Sequence, residues 1–192
     1  PWYRRLLIRN YCMLCRAIEP YPVCTRCWQQ FSRIVARPPL VVDPFRYEAP
    51  IDWLIASLKY NANVTSLPIL ELAVGNLVDQ IDACVSDVCP MPLHPWKRYQ
   101  RGFNQCDFLA RFAAARVGAR VRRTWLSKIR RTPPQVGLAQ SQRLKNQRGA
   151  FVAARDVRGR QIRLIDEVMT TGATMMAARA ALHAAGASRV LC

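Results

Sequence analysis

Apolar positions along the chain recur with two periods, and each marks a kind of element. Ile51, Leu54, Ile55 and Leu58 stand at i, i+3, i+4 and i+7, one face of a helix opening just after Pro50. Leu67, Leu70, Val74, Leu77 and Val78 repeat the pattern behind Ser66, a suitable N-cap, with Pro68 in the first turn. Asn104 is placed to cap a helix carrying Phe108, Leu109 and Phe112. Strand-like runs fall at Leu40 to Val42, at Val88-Cys89, at Val121 to Leu126 and at Ile162, Leu164 and Ile165, the last reached through Phe151-Val152 and a Val157-Arg158-Gly159-Arg160 turn. Pro90 and Pro92 rule out an ordinary central strand beyond Cys89 and make the continuation a rigid loop. A last helix runs from about Thr174 to Ala185 with Gly186 as its stop, and Ala187 to Cys192 begins a further strand. A strand of that sort usually continues past such a point.

Two segments break the periodicity. Arg37-Pro38-Pro39 interrupts helical structure and separates an N-terminal module, 1–39, from a domain of ordinary size, 40–192. Ser127 to Gly149 shows no sustained apolar period and contains Pro133, Pro134 and Gly137, so it reads as a long functional loop.

Charge changes the picture next. The chain carries 29 Lys and Arg against 12 Asp and Glu, and 18 of those basic residues against two acids, Asp107 and Asp156, lie between Lys97 and Arg163. Such a density suits a polyanion, because each neutralised phosphate releases counterions; a solvated Arg-rich surface is the plainer alternative. Lys97, Arg98, Arg101, Lys128, Arg130, Arg131, Arg143, Lys145 and Arg148 are the candidate contacts to nucleic acid or pyrophosphate. Trp96, Tyr99, Phe103 and Trp125 are possible stacking faces within the same window. No window is apolar enough to cross a membrane, and the Arg-interrupted start is not a secretory signal.

Cysteines add a metal. Cys12-x2-Cys15 and Cys24-x2-Cys27 form two knuckles that place four thiolates for a tetrahedral structural Zn²⁺. Two disulfides and an iron-sulfur cluster are the alternatives; reduced thiols agree with a cytoplasmic protein. Trp28 and Phe31 then offer an apolar face for docking the module. The single cysteines, Cys84, Cys89, Cys106 and Cys192, read as buried small hydrophobes. His94 reads as a loop residue with a packing role rather than a general base, because nothing near it in sequence orients it.

The chemistry concentrates at the end of the Gln161 to Ile165 strand, where Asp166 and Glu167 are followed by Thr170-Thr171-Gly172-Ala173-Thr174 and a helix. A helix start preceded by glycine and hydroxyl residues seats a phosphate on unpaired N–H groups. Carboxylates beside it would repel phosphate; they suit sugar hydroxyls or the second shell of a divalent cation. Arg163 interrupts the apolar strand and needs a partner if both sheet faces are covered.

This stretch resembles the phosphoribosyl-pyrophosphate (PRPP) motif of type I phosphoribosyltransferases, in which the acids contact the ribose hydroxyls and the loop holds the 5′-phosphate. Taken with the cysteine knuckles ending in Cys27-Trp28, Leu58-Lys59-Tyr60, Pro90-Met91-Pro92-Leu93-His94, Arg101-Gly102-Phe103-Asn104-Gln105 and Gln135, Leu138, Arg143, Asn146 and Gly149-Ala150-Phe151, the chain is similar to the ComF family. The resemblance implies an α/β fold, a type I phosphoribosyltransferase-like parallel sheet flanked by helices, behind a small four-cysteine zinc module. It implies natural transformation as the role, with PRPP bound with Mg²⁺ by Asp166, Glu167, Thr170, Thr171, Gly172, Ala173 and Thr174. Single-stranded DNA, and other DNA-uptake proteins such as a helicase, are the implied partners. Most members carry Asp-Asp where this chain has Asp166-Glu167. The alternative is an active phosphoribosyltransferase, with Asp166 and Glu167 as catalytic residues and an unidentified acceptor.

Overall fold

The computed structural model describes residues 11–19, 21–31, 47–61, 63–78, 85–132, 140–169 and 171–192. The expected Leu40 to Val42 strand, the Arg37-Pro38-Pro39 boundary, Cys84 and Thr170 lie outside them. Helix α1 (Thr25–Gln29) closes the cysteine module. Helix α2 (Ile51–Asn61), a short 3₁₀ turn (Val64–Ser66) and α3 (Leu67–Val78) follow where the apolar periods put them.

The sheet is parallel, ordered β2-β1-β5-β6, from β1 (Asp87–Pro90), β2 (Arg120–Val121), β5 (Gln161–Ile165) and β6 (Arg189–Leu191). Helices cover both faces, as parallel strands require. Val88 packs with Ala110 and Ala114 of α5 (Gln105–Val117). Its neighbour Cys89 faces the other way and joins Ile162, Leu164, Val190 and the Met175, Ala178 and Leu182 side of α7 (Ala173–Ala184). The expected parallel sheet flanked by helices, behind an N-terminal four-cysteine cluster, is therefore the observed architecture.

Several local expectations change. Pro90 is the last residue of β1, opposite Ile165, one position further than the proline argument allowed. Proline is tolerated there because Met91 takes up the ladder at once, its N–H donating to Ile165 O at 2.7 Å. The expected Val121 to Leu126 strand is two strands in two sheets. β2 ends at Val121, a turn through Arg123 and Thr124 redirects the chain, and β3 (Leu126–Lys128) pairs antiparallel with β4 (Phe151–Ala153). The presumed loop from Ser127 to Gly149 contains the end of β3 and a helix, α6 (Gln140–Gln147), packed on α7. That helix is too short and polar for an apolar period to reveal it. Helix α4 (Pro95–Arg101), also unforeseen, is capped by His94, whose Nδ1 accepts from Trp96 N at 3.2 Å. The histidine thus caps a helix rather than filling the packing role expected of it.

The cysteine module docks on the domain. Cys12, Val23, Cys24, Cys27 and Phe31 share one buried cluster with Ile51, Leu54 and Leu58 of α2, Leu67 and Leu70 of α3, and Leu109 of α5. Phe31 is buried and stacks at 5.2 Å from the half-buried Trp28, which meets the docking expectation.

Candidate functional site

Four sulfurs converge in the module: the Sγ atoms of Cys12, Cys15, Cys24 and Cys27 all lie within 4.8 Å of one another. Thiolates about 2.3 Å from a tetrahedral Zn²⁺ sit about 3.8 Å apart; Cys15 Sγ and Cys24 Sγ are 3.7 Å apart. The donor set and its size suit a metal ion and are consistent with zinc. Burial opposes ionisation of Cys12, yet hydrogen bonds from Cys15, Cys24 and Leu14 bring it down to about 6, while burial and its neighbours push Cys27 up to about 12.

The second centre forms where β1 and β5 end side by side. β1 leads on to β2 on one flank and β5 to β6 on the other, so the strand order reverses between them. In open α/β sheets the crevice outside the carboxyl ends at such a reversal is where ligands bind. Asp166 and Glu167 follow β5 at that edge, and Gly172, at φ 75°, turns the chain into α7, which no described side chain caps. The Thr171 hydroxyl is screened from solvent and has no hydrogen-bond partner among the described residues.

The two acids are held differently. Glu167 Oε1 is ion-paired with Lys59 Nζ of α2, and its Oε2 accepts from Cys106 Sγ of α5 at 2.7 Å. Asp166 Oδ1 accepts from Glu167 N at 2.9 Å and from Cys106 Sγ at 3.5 Å. Burial and the charge of Glu167 push Asp166 well above the usual carboxylate range. Burial also works against ionised Glu167, but the Lys59 ammonium overcomes it and holds the carboxyl below that range. Lys59 is shifted reciprocally: burial opposes its charge, and Glu167 restores and exceeds it. Cys106 is raised by burial and then by the two acids, so it stays a neutral donor.

Two further lysines feel the field of this pair. Lys97 on α4 is lowered by burial and by the charges of Arg101, Lys59 and Arg131, with Glu167 acting the other way. Lys128 on β3 is lowered to about 8 by burial and then by Lys97, against the pull of Asp166. Arg131 stacks 3.8 Å from the Trp96 ring centroid. Lys97 and Lys128 thus feel the acid pair and each other, with Arg101 and Arg131 acting on Lys97 and Arg130 on Lys128, while Arg130 itself donates to Asn146 O at 2.7 Å. Arg98 instead pairs with Asp107 at 3.8 Å. Lys145 and Arg148 are exposed, on α6 and just after it, and Arg143 belongs to α6. Of the proposed stacking rings, Tyr99 is 89% and Trp96 40% exposed, whereas Trp125 at 5% is a core residue and Phe103 packs edge-on against Phe108 at 6.1 Å.

Lys59 and Cys106 are the site residues that sequence reasoning missed. Lys59 carried a signal, since it follows Leu58 and lies four residues after Ile55 on the edge of a buried helical face. Cys106 was rightly read as buried, at 1% exposure, but its hydrogen-bonding partners are sixty positions away in sequence.

Among the described residues, no helix is long and apolar enough to cross a membrane. No family model matches the chain. Competence protein F of Haemophilus influenzae is 29% identical over 91 residues, 46% of this chain and 40% of that protein. DNA utilization protein YhgH of Salmonella typhimurium is 27% identical over 168 residues, 83% of this chain and 70% of that protein. Among solved structures, the glutamine PRPP amidotransferase from B. subtilis complexed with ADP and GMP aligns with 70% of this chain and 29% of its own, at 20% identity and a TM-score of 0.45. The chain is a homologue of Competence protein F and of the DNA utilization proteins YhgH.

Proposed function

We propose that this chain is a DNA-uptake protein that binds PRPP, with Mg²⁺, at the carboxyl edge between β1 and β5, and single-stranded DNA along its basic surface. One observation carries the reading: an acid pair and a helix start that no described side chain caps stand together at the strand-order reversal, in the electrostatic field of Lys97 and Lys128. Acids alone would repel a phosphate, and cations alone would not select a sugar. Together they match a phosphorylated ribose, with Asp166 and its partner Glu167 on the sugar side and Thr170 to Thr174 around the 5′-phosphate.

Lys97, Arg101, Lys128 and Arg131 would neutralise pyrophosphate oxygens, while Arg98, Arg130, Arg143, Lys145 and Arg148 would extend the positive track for a DNA backbone. Exposed Tyr99 would supply a stacking face beside that track, whereas Trp96 already carries Arg131 over its ring. The names of the relatives, which speak of competence and DNA utilization, support the cellular role. In this reading residues 1–39 form a zinc module docked on a phosphoribosyltransferase-like domain, 40–192, in the cytoplasm, and a helicase is a candidate partner. The cations beside the acid pair also suit pyrophosphate as a leaving group, which favours transferase turnover as a second reading.

Affinity for single-stranded DNA, measured against salt with and without PRPP, tests the proposal. We expect log K to fall steeply and linearly with log salt, and PRPP to compete for the cations it shares with DNA. A flat salt response removes the backbone-tracking role.

A further inference from the structure

We propose that Lys59 is a positioning residue that withdraws Glu167 from the ligand, leaving Asp166 as the carboxylate of the pair that meets it. This rests on the PRPP reading above and assigns the two acids separate tasks. Both oxygens of Glu167 are engaged inside the protein, one by Lys59 and the other by Cys106. Its side chain is 9% exposed, and that of Lys59 19%. Asp166 Oδ1 accepts from Glu167 N and Cys106 Sγ, and its carboxyl also meets the Glu167 side chain, but no cation pairs with it among the described residues.

A sugar hydroxyl approaching Glu167 would have to displace an ammonium from a desolvated carboxylate, exchanging a charge-assisted bond for a weaker neutral one. The same hydroxyl has no ammonium to displace at Asp166. Glutamate suits this arrangement because its extra methylene lets the carboxylate reach back to α2 while its backbone N–H still donates to Asp166. Pairing Glu167 with Lys59 also lessens the repulsion that the acid pair presents to an incoming polyphosphate.

The test is calorimetric titration of the zinc-loaded protein with PRPP and Mg²⁺, alongside thermal melts. Lys59→Met leaves Glu167 uncompensated next to the ligand and should weaken PRPP binding about tenfold or more. Adding Glu167→Gln to it should recover affinity to within about threefold of the parent, and recover the melting temperature as well. Asp166→Asn should lose affinity that Glu167→Gln does not restore. Should Lys59→Met alone fail to fold, the double variant is read by itself against the same threefold limit. A folded double variant that binds no better than Asp166→Asn overturns the assignment. A folded parent that binds no PRPP overturns the underlying ligand reading instead, and with it the division of labour.

Discussion

Asp87 is the most completely enclosed acid among the described residues, at 0% exposure, and Arg122 Nε donates to it at 2.7 Å, with Ser86 Oγ at 3.1 Å and Arg120 Nε at 3.6 Å. Burial opposes its ionisation, but the arginines and the serine more than offset this and hold its carboxyl below the usual range. A depressed folded-state value means stability that is full above the unfolded value, about 3.9, and is lost as the pH falls through the folded one. Asp87→Asn should cost about 2 kcal/mol at pH 7 and should flatten the acid limb of a melting-temperature profile. A parallel acid limb in the variant would contradict this. Residue types in sequence announced the acid pair and the cysteine set, but not which cation each acid takes. Lys59 reaches Glu167 across 108 positions, and Arg122 reaches Asp87 across 35; such pairings are made by the fold.

At the scale of elements, α5 joins the sheet to the site. Its cap residue Asn104, 4% exposed, accepts from Cys106 N at 3.2 Å and donates from Nδ2 to Met91 O at 3.0 Å. One side chain thereby fixes the helix start to the loop after β1 and aims Cys106 at the acid pair. Asn104→Ala removes both bonds and should destabilise the protein by about 2 kcal/mol, read by urea unfolding, and should weaken PRPP binding through the displaced thiol. A change below about 0.5 kcal/mol would refute the dual role. The cap, α2, α3, β5 and the limits of α7 to within a residue were legible because apolar period and cap chemistry agree there. Helix α6 was hidden because its Gln-Ser-Gln-Arg-Leu-Lys-Asn-Gln run has a single apolar residue. The division of Val121 to Leu126 was hidden because Arg122 and Arg123 turn the chain inside an otherwise strand-like stretch.

At the scale of the molecule, the shared cluster that joins Cys27 and Phe31 to Leu54, Leu58 and Leu109 makes the cysteine module part of the support for α2, and through Lys59 part of the support for the acid pair. We expect about one zinc per chain after mild chelator washing. Stripping the metal under denaturing chelation should then raise hydrogen exchange in α2 and α3 as well as in residues 11–31. Exchange confined to the module would show that the domain stands without it. The most direct test of the central claim is a crystal structure of the zinc-loaded protein with PRPP and Mg²⁺. The account predicts the 5′-phosphate on the backbone amides between Thr171 and Thr174, the pyrophosphate near Lys97 and Lys128, and a ribose hydroxyl on Asp166. PRPP bound elsewhere, or those amides left bare at saturating ligand, would contradict it.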